Sequence, residues 1–489
     1  MSFPERKKLR QLCIENPDAV CDLFETLYEQ LKTLPQKVAL LEAEIKALKD
    51  QKSKNSRTSS KPPSSDGLSK QSKRTTSLRK KGKRFVGGQK GHPGQTLRQV
   101  ADPDHQYLVK TPVVCNCGAC LSNAEKRGFE TRQVFDIKPV IVEVTEYQAE
   151  LIACTSCGKV VKGDFPDGVS QPVQYGNYIK ATATYLMNQH LIPYARTSEI
   201  LEDLFKVRIN TGTLYRFNKE QFKKLEYPVE TTIKELIGAA YAVHFDETGA
   251  PVEGSGHWLH VACTPNSTYY LLHKKRGREA MDEMGILPFY EGTAIHDHLK
   301  SYFTYDCCKH GLCNTHHLRE LTYLEERHKQ KWASKMIKLL LQIKEAVEQE
   351  MNKGQLSFSQ NRIKEFEKQY NDIVELGFLV NPDYDPKRTR KKRTEPQRML
   401  RRLKEFQKQV LAFMYDFEIP FDNNLVERDI RMTKVRMKIS GCFRAQKGAD
   451  IFCRIRSYLS TARKNKVNQF SALYDALQGK FLQLPIDNT

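Results

Sequence analysis

Three carboxylates stand where they could do chemistry. Asp246 ends the apolar run AAYAVHFDETG, Asp297 ends GTAIHDHLKSY, and Glu427 lies far downstream in DNNLVERDIR. An acid at the tip of a buried strand costs desolvation free energy unless something pairs with it. Two such acids and a third on a helix can hold two divalent cations about 3.5–4 Å apart, the geometry that cuts and rejoins phosphodiesters. Carboxylates suit hard Mg2+ (or Mn2+), which keeps waters available as nucleophiles. Arg428, Arg431, Lys434 and Arg436 follow Glu427 at helical spacing. They either hold phosphates near the metals or form a solvated basic face. A lone strand-end aspartate is usually a turn or cap residue, so the three acids alone make a metal nuclease only one reading.

Cysteines supply a second chemistry. Cys117-x2-Cys120 and Cys154-x2-Cys157 hold thiols at knuckle spacing, with Gly118 and Gly158 fitting the tight turns of such knuckles. Four thiolates can fill a closed tetrahedral Zn2+ shell, which is structural chemistry. A β-hairpin could fill the 33 residues between the pairs, and Cys115 is a spare that could replace Cys117. A further cluster, CCKHGLCNTHH, holds Cys307, Cys308, His310, Cys313, His316 and His317. It could bind metal. The preferred reading is a buried strand end whose histidine sits near the catalytic acids.

The elements that must position these groups follow from periodicity. The run before Asp246 (Ala240–Phe245), then HWLHVAC and YYLLH, read as a three-stranded antiparallel meander, and GTAIHD as a fourth strand carrying Asp297. Acids on the first and fourth strands meet if the sheet is ordered as in a ribonuclease H-like fold. A helix beginning near Asn423 must then lean back over the sheet to deliver Glu427. The expected fold is multidomain α+β, with a ribonuclease H-like α/β catalytic core and a helical insertion. The expected segments are 1–50, helical and leucine-zipper-like; 51–100, a basic flexible linker; 101–172, a zinc-binding β module; 173–237, a helix-turn-helix-like DNA-binding region; 238–318, the first part of the core; 319–420, the insertion; and 421–489, the last part of the core with C-terminal helices.

Within the first segment Val20, Phe24, Leu27, Leu31, Leu34, Val38, Leu41, Ile45 and Leu48 trace an a/d seam. Pro35 predicts a break near Thr33, leaving a short zipper from Leu34 that favours a homo-oligomer over packing within the chain. In RTSEILEDLFKVRINTGTLYRFNKEQF, a helix near Ser198–Phe205 and another from about Thr211 form either a helix-turn-helix or an ordinary helical pair. VIVEVTEYQAEL alternates as a strand of the small β module.

Charge names the partner. The 489 residues carry 79 Lys and Arg against 58 Asp and Glu, a net +21. The excess is clustered: residues 51–100 hold 14 basic residues and one acid, and residues 386–404 hold 10 and one. Clustered positive charge favours a polyanion, and nucleic acid is the commonest. The start, MSFPERKKLRQLC, has no apolar signal core, so a cytoplasmic protein with reduced thiols is expected.

These motifs, taken in order, resemble the large transposase of the insertion-sequence sixty-six family, a bacterial DDE transposase. NSRTSSKPPSSDG (55–67) is similar to its linker signature, GGQKGHPG (87–94) to its Gly-Gln-Gly-His stretch, and the cysteine pairs to its zinc-ribbon-like module. HFDETGAPVEGSGHWLHV resembles the first catalytic strand, which puts the family's first Asp on Asp246. IHDHLKSY resembles the second block and puts the second on Asp297; His298 replaces the usual Gly. LCNTHHLREL resembles a Cys-x-x-His block, DNNLVERDIR places the Glu on Glu427, and RMTKVRMKISGCFRA and STARKNK resemble the closing segment. The resemblance implies that the three acids bind two Mg2+, cut element ends to give a 3′-OH, and join that end to target DNA. It implies a nucleoid-associated bacterial protein and, as partners, DNA and small accessory proteins of the same element. The rival readings are a zinc-containing DNA-binding protein with a non-catalytic ribonuclease H-like domain, and a nuclease that cuts without joining.

Overall fold

The computed structural model describes residues 6–53, 97–136, 142–383 and 393–484. Most of the expected linker, both of its signature motifs and the most basic part of the 386–404 run lie outside them.

Helix α1 (Arg6–Glu15) precedes α2 (Pro17–Ser53). The expected break near Thr33 is absent, because α2 runs unbroken through Pro35. An exposed helix tolerates the one hydrogen bond that proline removes, and Thr33 Oγ1 bonds back to the Gln30 carbonyl at 3.0 Å. The seam residues Phe24, Leu31, Leu34, Val38, Leu41 and Ile45 are exposed.

One compact unit spans 74–224 and 468–481. Its described first part has little regular structure: strands β1 (Leu151–Ala153) and β2 (Val160–Lys162) pair antiparallel, and a bridge joins Val114 to Cys120. The strand expected from VIVEVTEYQAEL is thus a correction. Residues 142–149 lie outside any strand, and pairing begins at Glu150, whose carbonyl accepts from the Gly163 amide at 2.9 Å. Val144 and Tyr147 are both exposed, so alternation found no face to bury. Helices α3 (Asn177–Asn188), α4 (Tyr194–Phe205) and α5 (Thr211–Lys224) follow. They enclose Ala183, Met187, Leu201, Ile209, Leu214 and Phe217. The expected second helix begins at Thr211 as read, and Asn210 Oδ1 caps it on the Thr213 amide at 2.8 Å.

The other unit contains residues 225–467. Its mixed sheet comprises β3 (Ala242–Gly249), β4 (Trp258–Cys263), β5 (Thr268–His273), β6 (Thr293–His296) and β7 (Lys309–Leu312) in the order β5-β4-β3-β6-β7. The first three form the expected antiparallel meander; β6 joins β3 in parallel and β7 joins β6 in parallel. Helices α6 (Asn314–His328), α7 (Lys331–Met351), α8 (Gln360–Val380) and α9 (Glu395–Glu405) then build a core of their own around Trp332, Phe366, Tyr370 and Leu400. Helices α10 (Asn424–Ser440) and α11 (Gln446–Lys464) return to the sheet. On α11, the Thr461 and Ser457 hydroxyls accept from the Thr268 and Tyr270 amides at 3.1 and 3.0 Å. The free edge of β5 is thereby covered, which removes a template for strand addition. Helix α12 (Gln469–Leu477) belongs to the first unit, where Phe470 packs edge-on against Tyr178 of α3.

Candidate active site

The sheet explains where the acids stand. Asp246 is not at the strand tip as expected: β3 continues to Gly249, and Asp246 pairs with Val261 of β4. On its other side, β3 pairs with β6 only as far as His244, opposite Ile295. Two residues further in the same register, Asp246 comes opposite Asp297, at the fork where β6 ends. Carboxyl ends of parallel strands at such a divergence are where open α/β sheets bind ligands.

Glu427 arrives from the first turn of α10, and one residue holds that turn in place. Asn423, buried at the N-cap, meets His244 Nδ1 through its Oδ1 at 2.8 Å and donates to the Phe245 carbonyl through Nδ2 at 2.8 Å. Its own amide donates to Cys313 Sγ at 3.2 Å. Asn423 therefore ties α10 to the strand bearing Asp246 and to the entrance of α6.

The electrostatics show that the three acids converge. Burial drives the Asp246 carboxyl well above the usual carboxylate range, and the charges of Glu247, Asp297 and Glu427 push it further. Only the Glu247 amide opposes this, donating to Asp246 Oδ1 at 2.8 Å. Asp297 accepts from the Leu299 amide at 2.8 Å. Glu427 Oε2 faces Arg319 at 3.8 Å; Oε1 is buried, without a hydrogen-bond partner, 3.9 Å from His316 Nε2. Asp246, raised by burial and by its acidic neighbours, together with an unpartnered carboxylate oxygen of Glu427, fits a divalent cation.

Glu247 was not singled out in the sequence, although it neighbours Asp246. It is buried, with Arg276 at 2.8 Å and the Tyr302 hydroxyl donating to it at 2.7 Å. Burial and the Asp297 charge raise it, against Tyr302 and Arg276. Strand alternation turns it to the face opposite Asp246. Nothing in its sequence setting separates it from a surface acid; only the distant Arg276 and Tyr302 do.

The four expected DNA contacts divide. Arg428 and Arg431 are exposed. Lys434 instead donates to the Gly249 carbonyl at 2.9 Å, close enough to Asp246 for that charge to oppose the lowering of its pKa by burial. Arg436 lies over the Phe443 ring at 3.7 Å and near Phe452, a packing position. His298, standing where the resemblance expects Gly, packs edge-on against Phe406, and burial lowers it to about 4. Beside the acids lies a cavity of about 240 Å³. Arg276, Asp297 and His298 form part of its lining, with Cys313, His316 and Arg402 also around it.

The cysteine knuckles each close a tight turn, the first one residue shorter than the second. The Gly118 amide bonds the Cys115 carbonyl and the Gly158 amide the Cys154 carbonyl, each at 2.8 Å, with both glycines at positive φ. This pairs Cys117 with Cys115, whose thiol is lowered by the Cys117 amide and then by the Cys117 side chain. Cys154 is lowered by the Ser156 and Cys157 amides. Cys120 turns instead to Ser122 Oγ at 3.3 Å. Amide donors that stabilise thiolate are what a metal-binding knuckle requires. Among the described residues, the two knuckles do not bring three ligand atoms together; the one convergent trio is Cys313, His316 and Glu427. No helix among these residues is long and apolar enough to cross a membrane.

Comparison with known families fits both sites. The family model described as zinc-finger binding domain of transposase IS66 matches residues 114–158, spanning the knuckles. Residues 7–98 match a family of unknown function (DUF6444). No curated protein matches the chain. The model described as transposase IS66 family matches residues 172–451, more than half of the chain and all three acids. The chain therefore belongs to the IS66 transposase family.

Proposed function

We propose that this transposase cuts the ends of its element and joins them to target DNA at a site formed by Asp246, Asp297 and Glu427, within a ribonuclease H-like core. The carrying observation is the convergence of three acids from β3, the end of β6 and the first turn of α10, with Asp297 and Glu427 both raising Asp246. The order β5-β4-β3-β6-β7, with the first three strands antiparallel, supports the ribonuclease H-like reading. Two Mg2+ (or Mn2+) ions at these acids would supply the positive charge that activates the attacking oxygen and stabilises the leaving one. The chain's own residues set the geometry. Asp246 and Asp297 are fixed by the sheet register, and Asn423 orients the turn carrying Glu427. Exposed Arg428 and Arg431 suit phosphate contacts, whereas Lys434 and Arg436 support α10.

Around this core the remaining parts handle DNA. A zinc ion held by Cys117, Cys120, Cys154 and Cys157, with Cys115 a spare for Cys117, would order the knuckle stretch of the first unit. Helix α5 buries Leu214 and Phe217 and exposes Tyr215, Arg216, Lys219 and Lys223, a basic face for a DNA groove. The exposed seam of α2 suits a second copy of the chain. Such an enzyme works in the bacterial cytoplasm on the nucleoid, with accessory proteins of its element as further partners.

The test is incubation of the full chain with element-end DNA and Mg2+. Cleavage followed by joining is expected. Binding without cleavage would instead support a non-catalytic DNA-binding protein, and cleavage without joining a nuclease.

A further inference from the structure

The cysteine and histidine cluster after β7 falls into two groups. Cys307 is exposed, while Cys308 and His310 turn to the Tyr305 carbonyl and His310 also meets His296 at 3.0 Å. Cys313 and His316, at the entrance and first turn of α6, face the other way, toward α10. Here ligand atoms of Cys313, His316 and Glu427 lie within 4.8 Å of one another.

We propose that Cys313, His316 and Glu427 form a site for a thiophilic divalent ion such as Zn2+ or Co2+, distinct in ligand chemistry from the all-carboxylate pair of Asp246 and Asp297. Three observations carry this. His316 Nδ1 and Glu427 Oε1 are both buried without hydrogen-bond partners, although buried polar atoms are rarely left so. The Asn423 amide donates to Cys313 Sγ at 3.2 Å, an arrangement that stabilises a thiolate. The cavity beside Asp297 reaches both Cys313 and His316, so an ion has an approach. One sulfur, one nitrogen and one carboxylate oxygen are a borderline-soft donor set with a fourth position open, as in catalytic zinc sites. Arg319 engages Oε2 of Glu427 and leaves Oε1 to the ion. Burial pushes the Cys313 thiol up to about 12; a coordinated thiol is deprotonated outright by the ion.

The site has a consequence that rests on the proposed catalytic role of Glu427. An ion held there would occupy the third acid, so micromolar zinc would inhibit a magnesium-dependent reaction.

Cobalt(II) reports thiolate ligation through sulfur-to-metal charge-transfer absorption. The probe is Co2+ titrated into the full chain carrying Cys117→Ser, Cys154→Ser and Cys157→Ser, which silences the knuckles. The charge-transfer band should persist in that protein and vanish when Cys313→Ser is added, with circular dichroism unchanged. If Cys313→Ser perturbs folding, His316→Ala in the same background is the second variant. It should weaken cobalt binding by more than the roughly 10-fold to 100-fold that losing an outer-shell partner costs. Absence of the band, or a band indifferent to both substitutions, overturns the site. A cobalt band present without zinc inhibition of cleavage would count against the role given to Glu427, not against the metal site.

Discussion

The mixed sheet with its returning helices and the cysteine-bearing stretch of residues 101–172 both gather groups suited to metal, by opposite means. In the sheet, Val243, Phe245, Leu259 and Ala294 are almost fully buried, and hydrophobic burial holds the acids together against their own repulsion. In the cysteine stretch, Val109, Phe129, Val134 and Val144 are exposed, and β1 and β2 have three residues each. Backbone turns preorganise each knuckle, but no core brings the two knuckles together. The difference teaches where the folding free energy resides. The sheet's apolar core offsets the cost of its charge cluster, whereas the described part of the knuckle region buries little apolar surface of its own.

Four experiments would break or sharpen that contrast. The largest effect should come from chelation. Apparent binding free energies of structural zinc run to about 10–16 kcal/mol, so metal removal should expose residues 101–172 to proteolysis while 242–312 stay protected. Simultaneous loss of both regions would show that they are not independent in this sense.

Next in size is chemistry. Asp246→Asn, Asp297→Asn and Glu427→Gln each remove a ligand charge at nearly constant volume. Loss of several kcal/mol of transition-state stabilisation corresponds to about 1,000-fold or more in cleavage rate, with DNA binding largely kept. Near-full cleavage by Glu427→Gln in Mg2+ would remove that residue from the triad.

A smaller effect probes the brace. Asn423→Ala strands His244 Nδ1 and the Phe245 carbonyl in a buried setting, which costs about 1–3 kcal/mol per unsatisfied group. Thermal denaturation should show a lowered midpoint, and cleavage should fall with it. An unchanged midpoint would mean that α10 is held elsewhere.

The smallest effect has the opposite sign. The folded-state pKa of Asp246 is raised above its unfolded value. The native state therefore favours the protonated form. This contribution to stability is complete below the ordinary carboxylate range and is lost as pH rises through the raised folded value. Above that raised value the metal-free protein carries the full penalty. Asp246→Asn removes the charge but keeps an acceptor for the Glu247 amide, so its metal-free midpoint should rise. A gain of about 1 kcal/mol corresponds to about 2–4 °C for a unit of this size. A fall in the midpoint at neutral pH would show that the acids are not in mutual repulsion.

Much of this was legible in the chain. Alternating apolar runs broken by EGSG and TPNS marked the antiparallel meander, because strand periodicity and turn chemistry are local. The helix at Thr211 followed from its cap in the same way, and the helix at Asn424 from the need to deliver Glu427. Resemblance to a family, carried by ordered motifs, located Asp246, Asp297 and Glu427. Local reasoning failed where the outcome depended on what lay across space. Pro35 reads as a breaker, yet α2 continues through it. VIVEVTEYQAEL alternates, yet residues 142–149 found no partner strand.

The sequence by itself determined the class of chemistry, since residue types and charge are written in it: hard oxygen ligands, knuckle thiols, and a basic excess suited to DNA. Only the tertiary structure decided which groups act together. It turned Arg436 onto aromatic rings and Lys434 against the sheet while leaving Arg428 and Arg431 in solvent. It also used Asn423 to join α10 to His244 and Phe245 of β3 and to Cys313, all more than 100 residues upstream of it. The physical reason is range. Caps, turns and periodicity are fixed over a few residues of backbone, whereas desolvation, charge repulsion and hydrogen bonds between remote segments exist only after the core has closed.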